Sequence, residues 1–269
     1  MAEAPQNMAD PFSALSEHSA RDDVHFLQDP NKEGGYFELN KHSLTVTVKE
    51  HNEHLIPNVV LEQIKNQVAH LISLSPQEYA FAGRKKYEPR ELSEKNCDNP
   101  IMYGQMGLFS IIDMPPFTVV GIYAGRYLAE IKDFEAEYNR VHPVLADRYM
   151  HACDIKGYPG ICAYMSGNYM SYVNDWRPID YQERSKEDLD ALKSKKHNVI
   201  SLIGESLGHK FIIYVSIDNI WENDEILTDY GDGYWEREAF INEHINKINE
   251  IDPQNMPDNG ADNAQEQAY

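Results

Sequence analysis

Histidine and acidic side chains lie close together at one point of the sequence, where a metal ion could bind. His51 and His54 are three residues apart, and Glu50 and Glu53 flank them. Imidazole nitrogens and carboxylates are common zinc ligands, but this spacing does not form the His-Glu-x-x-His pattern of a helical zinc site. A solvated polar turn explains the cluster better, and the sequence predicts no metal site.

A serine stands between two glycines in the run Gly204-Glu205-Ser206-Leu207-Gly208, with the spacing that surrounds the nucleophile of many hydrolases. That nucleophile requires a strand before it and a helix after it. Here the residues that follow Gly208 lead directly into another strand-like run, so the sequence predicts a hairpin turn instead. Neither a phosphate-binding Walker loop nor a Gly-x-Gly-x-x-Gly fingerprint is present, which disfavours nucleotide hydrolysis and NAD chemistry.

Three segments rich in glycine and tyrosine follow one another along the chain. They read Gly-Gln-Met-Gly-Leu-Phe-Ser-Ile-Ile-Asp-Met-Pro-Pro-Phe-Thr-Val-Val-Gly-Ile-Tyr-Ala-Gly-Arg over 104–126, Gly-Asn-Tyr-Met-Ser-Tyr-Val-Asn-Asp over 167–175, and Asn-Asp-Glu-Ile-Leu-Thr-Asp-Tyr-Gly-Asp-Gly-Tyr-Trp over 223–235. In this order they resemble three motifs of SET domains: a glycine-rich turn leading to Glu-Tyr-x-Gly-Glu, then Gly-Asn-x-x-Arg-Phe-Ile-Asn-His, then Gly-Glu-Glu-Leu-x-x-Asp-Tyr-Gly-x-x-Phe-Trp. The resemblance covers about half of the chain.

SET domains are protein-lysine methyltransferases that use S-adenosylmethionine, so the resemblance implies methyl transfer to a lysine side chain of a protein substrate. It also implies a fold of the α+β class. We expect a mostly-β SET-like fold of short strands, with a helical N-terminal layer and a C-terminal helix. Methyl transfer needs a neutral amine, an in-line approach and a water-poor channel, and aromatic walls supply the last two.

The resemblance assigns catalytic roles to two tyrosines. Tyr230 matches the catalytic tyrosine of the family, and Tyr123 matches a tyrosine that lines the lysine channel. Thr228 lies two residues before Tyr230, at the expected end of the substrate channel, and Tyr172 is expected to line the same channel.

A second group of residues is implied to bind the cofactor. The backbone of the glycine-rich turn would contact its methionine part, because glycine permits a close approach. An asparagine and the backbone after it would hold its amino-acid end and its adenine, and an aromatic ring would stack on the adenine. The implied cofactor-binding residues are Gln105, Met106, Gly107, Asn174, Asp175, Tyr234 and Trp235.

Four positions depart from the family pattern. Gln105 replaces the first glycine of the turn, Ser171 replaces the arginine, Asp175 replaces the histidine and Arg126 replaces the last glutamate of the first motif. These departures keep a second function open, in which a catalytically weak SET-like protein acts as a binding or scaffold module. The retained tyrosines favour the enzyme, since a scaffold has no need of them.

Hydrophobic periodicity indicates the elements of the N-terminal part. Alternating residues over 44–48 predict a strand, and apolar residues three and four apart over 59–72 predict a helix with one buried face. Ser75 and Pro76 predict the start of a second helix, with the serine as its N-cap.

The rest of the chain is predicted to be mostly β. Two runs around Pro115-Pro116, at 107–112 and 117–123, are expected to pair with each other as strands. Ser185 is predicted to begin an exposed helix. Further strands are expected at 161–164, 199–203 and 211–217, and a last amphipathic helix at 236–251.

Composition suggests four regions along the 269 residues. They are a disordered arm (1–30), an N-terminal helical and strand extension (31–100), a SET-like catalytic domain (101–251) and a disordered acidic tail (252–269).

Charge narrows the classes of partner. The sequence has 24 basic against 44 acidic side chains and a net charge of −20, which disfavours nucleic acid and favours a basic, lysine-containing protein substrate. No apolar run is long enough for a membrane span, and no signal peptide is evident. Three cysteines without paired spacing suggest a reducing compartment. We therefore expect a cytoplasmic protein, or one delivered into a host cell if it is a bacterial effector, and the oligomeric state stays open.

Overall fold

Short strands and helices alternate along the part of the chain that the structure describes. The structure is a computed structural model, and it describes residues 20–21, 23–97, 102–141, 146, 148–153, 158–178 and 181–235. The chain divides into two units, residues 1–229 and 230–269, and each is described by itself. The helix predicted at 236–251, the tail at 252–269 and the first 19 residues of the predicted arm lie outside the described residues.

The elements below are numbered in chain order. The helices are α1 (Asn58–Leu71), α2 (Pro76–Gly83), α3 (Ile131–Arg140) and α4 (Lys186–Lys196). The strands are β1 (Leu27–Gln28), β2 (Thr45–Thr47), β3 (Tyr87–Glu91), β4 (Met106–Ser110), β5 (Val119–Ile122), β6 (Gly125–Leu128), β7 (Met150–Ala152), β8 (Gly160–Cys162), β9 (Asn174–Asp175), β10 (Val199–Ser206), β11 (His209–Ser216) and β12 (Leu227–Thr228).

The two N-terminal helices follow the predicted pattern. Helix α1 buries Ile64, Val68 and Leu71 on one face, as the spacing of its apolar residues requires. Helix α2 begins with a capping box, in which Ser75 and Glu78 each satisfy a backbone N–H of the other. The predicted helical N-terminal layer is confirmed.

One four-stranded sheet has the order β2-β10-β11-β5 and is built on a long hairpin. Strands β10 and β11 pair from Val199↔Ser216 to Ser206↔His209, and Leu207 and Gly208 form the turn between them. Both turn residues have positive φ, 52° and 82°. A two-residue turn needs this conformation so that its twist matches the twist of the two strands. The prediction of a hairpin turn here is confirmed.

The predicted pairing of the two strands around Pro115-Pro116 is wrong. Strand β4 pairs with β3, and β5 pairs with β11, so the two strands belong to different sheets. Met114, between them, instead forms a bridge with Ile220. Alternation of side chains indicates that a segment is extended, but it does not identify its hydrogen-bonding partner.

The other four-stranded sheet, β1-β6-β8-β7, begins inside the range predicted to be a disordered arm. Leu27 is fully buried, and β1 pairs in parallel with β6 at Leu27↔Gly125. The described end of the range predicted as an arm therefore contains a strand, which is held by the burial of Leu27 and by the packing of Phe26 against the core.

The α+β class, with a mostly-β core of short strands, is confirmed. Strands β2 and β3 of the predicted extension (31–100) pair with β10 and β4, so the extension shares sheets with the region that follows it. Among the described residues, no helix combines the length and the apolar character needed to cross a membrane.

The hairpin turn generates a stability prediction. Leu207 adopts a left-handed conformation that disfavours its side chain, and that side chain is more than half exposed. Leu207→Asn is expected to raise the free energy of unfolding by up to about 1 kcal/mol, because asparagine tolerates positive φ. Urea denaturation measures the change. Leu207→Val is the control and should destabilise, since a β-branched residue is least tolerated at positive φ; equal stability of the two variants would contradict this turn geometry.

Candidate active site

The second and third SET-like segments meet through a short parallel pair of strands. Strand β9 pairs with β12 at Asn174↔Leu227 and Asp175↔Thr228. The next residue, Trp176, donates its backbone N–H to the carbonyl of Thr228 at 3.0 Å. Residues more than 50 positions apart in sequence are thereby held side by side.

The first segment joins the third along strand β4. The backbone N–H of Ile226 donates to the carbonyl of Leu108 at 2.8 Å, and that of Ser110 donates to the carbonyl of Asp224 at 2.9 Å. All three segments that resemble SET motifs therefore converge on one place in the first unit.

Asn174 lies at the point of convergence. Its Nδ2 donates to the carbonyl of Met106 and to Oε1 of Glu225, each at 3.1 Å. A Cβ added to Gly107 would lie 2.7 Å from that same Oε1 and 2.7 Å from Leu92. Three of the predicted cofactor-binding residues, Asn174, Met106 and Gly107, thus lie together. The absence of a side chain at Gly107 leaves room for the side chain of Glu225, which was not among the predicted site residues.

Gln105 lies in the turn that precedes β4. Its backbone carbonyl accepts from the N–H of Leu92 at 2.7 Å, and its N–H donates to Met102 at 2.9 Å. The neighbouring Gly104 has a φ of 83° and open space where a Cβ would lie. The turn is therefore held by backbone hydrogen bonds. Although Gln105 replaces the first glycine of the family motif, the residue with positive φ in this turn is still a glycine, Gly104.

The side chain of Asp175 is engaged in an ion-pair network. Arg177 contacts Asp175 at 3.1 Å and Asp229 at 2.8 Å, and Lys193 of α4 also pairs with Asp229. The side chains of Arg177 and Asp175 are 8% and 4% exposed, so this part of the network is removed from solvent. The carboxylate of Asp175, which stands where the family has a histidine, thus binds an arginine of its own chain.

Two further side chains border the network. The Arg177 guanidinium lies over the ring of Trp176 at 5.2 Å, and the ammonium of Lys193 lies 5.8 Å from the same ring. Burial, helped by the charge of Lys193, lowers the pKa of His197 to about 4, so this histidine is neutral at physiological pH.

Tyr123 lies in a buried cluster of aromatic side chains. Its hydroxyl donates to the carbonyl of Tyr149 at 2.7 Å, and its ring makes edge contacts with His151 and Tyr214, at 5.5 and 6.3 Å between centroids. Burial, followed by the charge of Lys49, lowers the pKa of His151 to about 3. The surroundings of Tyr123 therefore disfavour positive charge.

The other two predicted channel residues are also buried. The hydroxyl of Tyr172 accepts the backbone N–H of Ala20 at 2.9 Å, and its ring stacks on that of Tyr169. Thr228 is 3% exposed and lies opposite Asp175 in the strand pair.

Tyr230, Tyr234 and Trp235 belong to the second unit. Gly231, with a φ of 83°, turns the chain after Tyr230, and its carbonyl accepts the N–H of Tyr234 at 3.2 Å. The rings of Tyr230 and Tyr234 meet edge to face at 4.7 Å, and those of Tyr234 and Trp235 at 5.4 Å. The three predicted site residues of this unit thus form one aromatic cluster.

Ser206, the serine between two glycines, has a structural role. Ser206 is buried, accepts the N–H of Asn40 at 2.6 Å and donates to the carbonyl of Asn40 at 2.9 Å, so it fastens the hairpin end. Within the described residues, no three His, Cys, Asp or Glu side chains are grouped closely enough to hold a metal ion. A groove of about 340 Å³ near His25, Tyr36 and Pro76 contains none of the predicted site residues.

Sequence reasoning missed Glu225, Arg177 and the aromatic partners of Tyr123. Glu225 had a signal, because it matches the second glutamate of the third family motif. No signal in the sequence points to Arg177, because only the fold places it between two carboxylates that are 54 positions apart.

Comparisons with known proteins give the following result. No family model matches the sequence, and no curated protein matches it. Among solved structures, chains of the Polycomb Repressive Complex 2 of Chaetomium thermophilum are similar to it. A humanized, inhibitor-bound mutant shows 16% identity and a TM-score of 0.38 over 58% of this chain and 16% of that chain. An apo form with two mutations in Ezh2 shows 17% identity and a TM-score of 0.40 over 66% and 19%.

The crystal structure of that complex gives 17% identity and a TM-score of 0.40 over 64% of this chain and 18% of that chain. The chain thus spans less than a fifth of the length of these neighbours.

The ion-pair network generates a prediction for Arg177→Met. Two carboxylates would lose their shared cation in a largely buried position, and the free energy of unfolding is expected to fall by about 3–5 kcal/mol. Lys132→Met is the matched control, because it breaks an exposed pair with Glu130 and should cost no more than about 1 kcal/mol. Chemical denaturation at neutral pH measures both, and equal losses would contradict the role of Arg177.

Proposed function

We propose that the chain transfers a methyl group from S-adenosylmethionine to a lysine side chain of a protein substrate. One observation carries the proposal: three segments that resemble SET motifs, spread over residues 104–235, have their described parts in the first unit hydrogen-bonded to one another. The third segment then continues directly into Tyr230. Chance similarity of sequence gives no reason for such convergence.

The residues at the convergence fit a cofactor with a methionine-like end. The Oδ1 atom of Asn174 accepts no hydrogen bond within the described residues, because both of its amide contacts are made by Nδ2. Gly104 leaves open space beside the turn before β4. Asn174 and the backbone of the turn would hold the amino-acid end. For the adenine, the sequence resemblance assigns Tyr234 and Trp235.

The bound cofactor would supply an electrophilic methyl group on a sulfonium. The protein must then hold a neutral lysine amine in line with that methyl group and exclude water. The cluster around Tyr123 suits this task. Burial there lowers the pKa of His151 to about 3 and also lowers the pKa of Lys49, and the same desolvation would favour the neutral form of a substrate amine.

In this proposal Tyr230 is the catalytic residue. Its hydroxyl would accept a hydrogen bond from the amine and orient the nitrogen toward the methyl group. Tyr123 and Tyr172 would line the channel with their rings, and Thr228 would lie at its end.

The substrate is proposed to be a basic protein. The excess of 20 negative charges attracts lysine-rich partners and repels nucleic acid.

A second candidate function is a binding or scaffold module without catalysis. It is favoured by two of the departures from the family and by two tyrosines. Asp175 is committed to Arg177, Arg126 pairs with Glu137, and the hydroxyls of Tyr123 and Tyr172 hydrogen-bond to backbone atoms. A scaffold would bind its partner without S-adenosylmethionine.

Tyr230→Phe tests the enzyme. With labelled S-adenosylmethionine and a lysine-rich protein such as a histone mixture, wild-type protein is expected to incorporate label. The variant should lower turnover by about 100- to 1,000-fold, because it removes one positioned hydroxyl. Tyr36→Phe, which changes an exposed tyrosine elsewhere, is the matched control and should keep full activity. Unchanged turnover in Tyr230→Phe would refute the assignment of the catalytic tyrosine, and the scaffold function predicts no incorporation by any of the three proteins.

A further inference from the structure

The N-terminal end of the described chain lies against the second SET-like segment, residues 167–175. The backbone N–H of Ala20 donates to the hydroxyl of Tyr172 at 2.9 Å in a buried hydrogen bond between residues 152 positions apart. The next described N–H, from Arg21, donates to the carbonyl of Gly167 at 3.0 Å. Two consecutive N–H groups therefore fasten the chain to this segment. Residues 20–21 and 23–28 are called the N-terminal strap below.

The hydroxyl that accepts the Ala20 N–H distinguishes this chain from the family motif. The motif Gly-Asn-x-x-Arg-Phe-Ile-Asn-His has phenylalanine at the position of Tyr172. A phenylalanine ring would fill nearly the same space, but it has no atom that accepts this hydrogen bond. Because Ala20 is only 8% exposed, water would not readily replace the lost acceptor. The tyrosine is thus matched to the strap.

The other end of the strap is fastened independently. Leu27 is fully buried and pairs with Gly125 of β6. The side chain of Gln28 donates from Nε2 to the carbonyl of Ser166, the residue just before the second segment. The strap is therefore tied to the body of the fold at both of its ends.

The second segment connects the strap with the strand that carries Tyr123. Nδ2 of Asn168 donates to the carbonyl of Ile122 at 2.8 Å, and its Oδ1 accepts the N–H of Ala124 at 3.3 Å. These two residues stand on either side of Tyr123. The strap thus packs on the side of the segment that holds both predicted channel tyrosines.

We propose that Ala20 is a positioning residue of the lysine channel, whose N–H fixes the ring of Tyr172 through its hydroxyl. This inference rests on the proposed function. The stacked ring of Tyr169, 6.1 Å away between centroids, supports the face of the Tyr172 ring, and the strap holds its tip. A wall held in this way is already ordered before the substrate lysine enters, so less ordering has to accompany binding.

Tyr172→Phe separates this role from a general loss of stability. Methyl transfer by the full chain is measured with labelled S-adenosylmethionine and a lysine-rich histone at varied concentration. The KM for the histone is expected to rise by about 3- to 10-fold, the size of one lost hydrogen bond, while kcat stays within about 2-fold. A merely structural loss would instead reduce the active fraction, which lowers the apparent kcat and leaves KM unchanged. Tyr36→Phe is the control and should keep the wild-type KM.

Ala20→Pro removes the donor of the same hydrogen bond. It should raise KM about as much as Tyr172→Phe does, and the double variant should be no worse than either single variant, because both remove one interaction. Effects that multiply in the double variant would mean that the two residues act separately, and they would overturn the inference.

Amide hydrogen exchange, followed by NMR, tests the contact without any enzyme activity. The Ala20 amide should exchange about 10-fold faster in Tyr172→Phe than in the wild type. The Ile122 amide is an internal control, since it donates to the hydroxyl of Tyr79 in another buried bond of 2.9 Å and should be unaffected.

The failures of the inference and of the proposed function can be told apart. A wild-type protein that methylates the histone, with an unchanged KM in Tyr172→Phe, would overturn the inference and leave the proposed function standing. Unchanged exchange of the Ala20 amide would also overturn the inference alone. A wild-type protein that transfers no methyl group would overturn the proposed function and, with it, the role of Ala20 in a lysine channel.

Discussion

The pairing of β9 with β12, closed by Arg177, is the constraint on which the candidate site depends. Each strand has only two residues. The few backbone hydrogen bonds between them hold two segments that are 53 positions apart only weakly. Arg177 strengthens the tie by bridging Asp175 at the end of one strand and Asp229 after the other. With little solvent to screen them, these charges interact strongly, and loss of Arg177 would remove the cation that Asp175 and Asp229 share, while Asp229 would keep its pair with Lys193.

The part of the site around Asn174 follows from that junction. It places Asn174 beside Met106 and Glu225, which fixes which atom of the amide remains for a ligand. The family histidine is absent, but the aspartate in its place serves the junction through Arg177, so this departure from the motif has a structural use.

Local signals were sufficient for the elements whose causes are local. The α1 stripe, the N-cap at Ser75 and the turn at Gly208 were predicted because each is decided within a few residues. The partners of the strands were not predicted correctly. Strand β4 pairs with β3, and this choice depends on residues that are distant in the sequence. Leu27 was missed for the same reason. Motif resemblance did identify Asn174 and Met106, which the fold brings together, but the role of Glu225 depends on a contact that no spacing in the sequence indicates.

Binding of S-adenosylmethionine to the full chain tests the central claim most directly. The account predicts saturable binding at one site, with the free energy of unfolding raised by about 2.7 kcal/mol when the ligand is present at about 100 times its dissociation constant. Adenosine at the same concentration should stabilise less, because it lacks the amino-acid end that Asn174 is proposed to hold. No heat of binding and no shift of the unfolding transition at millimolar S-adenosylmethionine would contradict the account and leave the scaffold function.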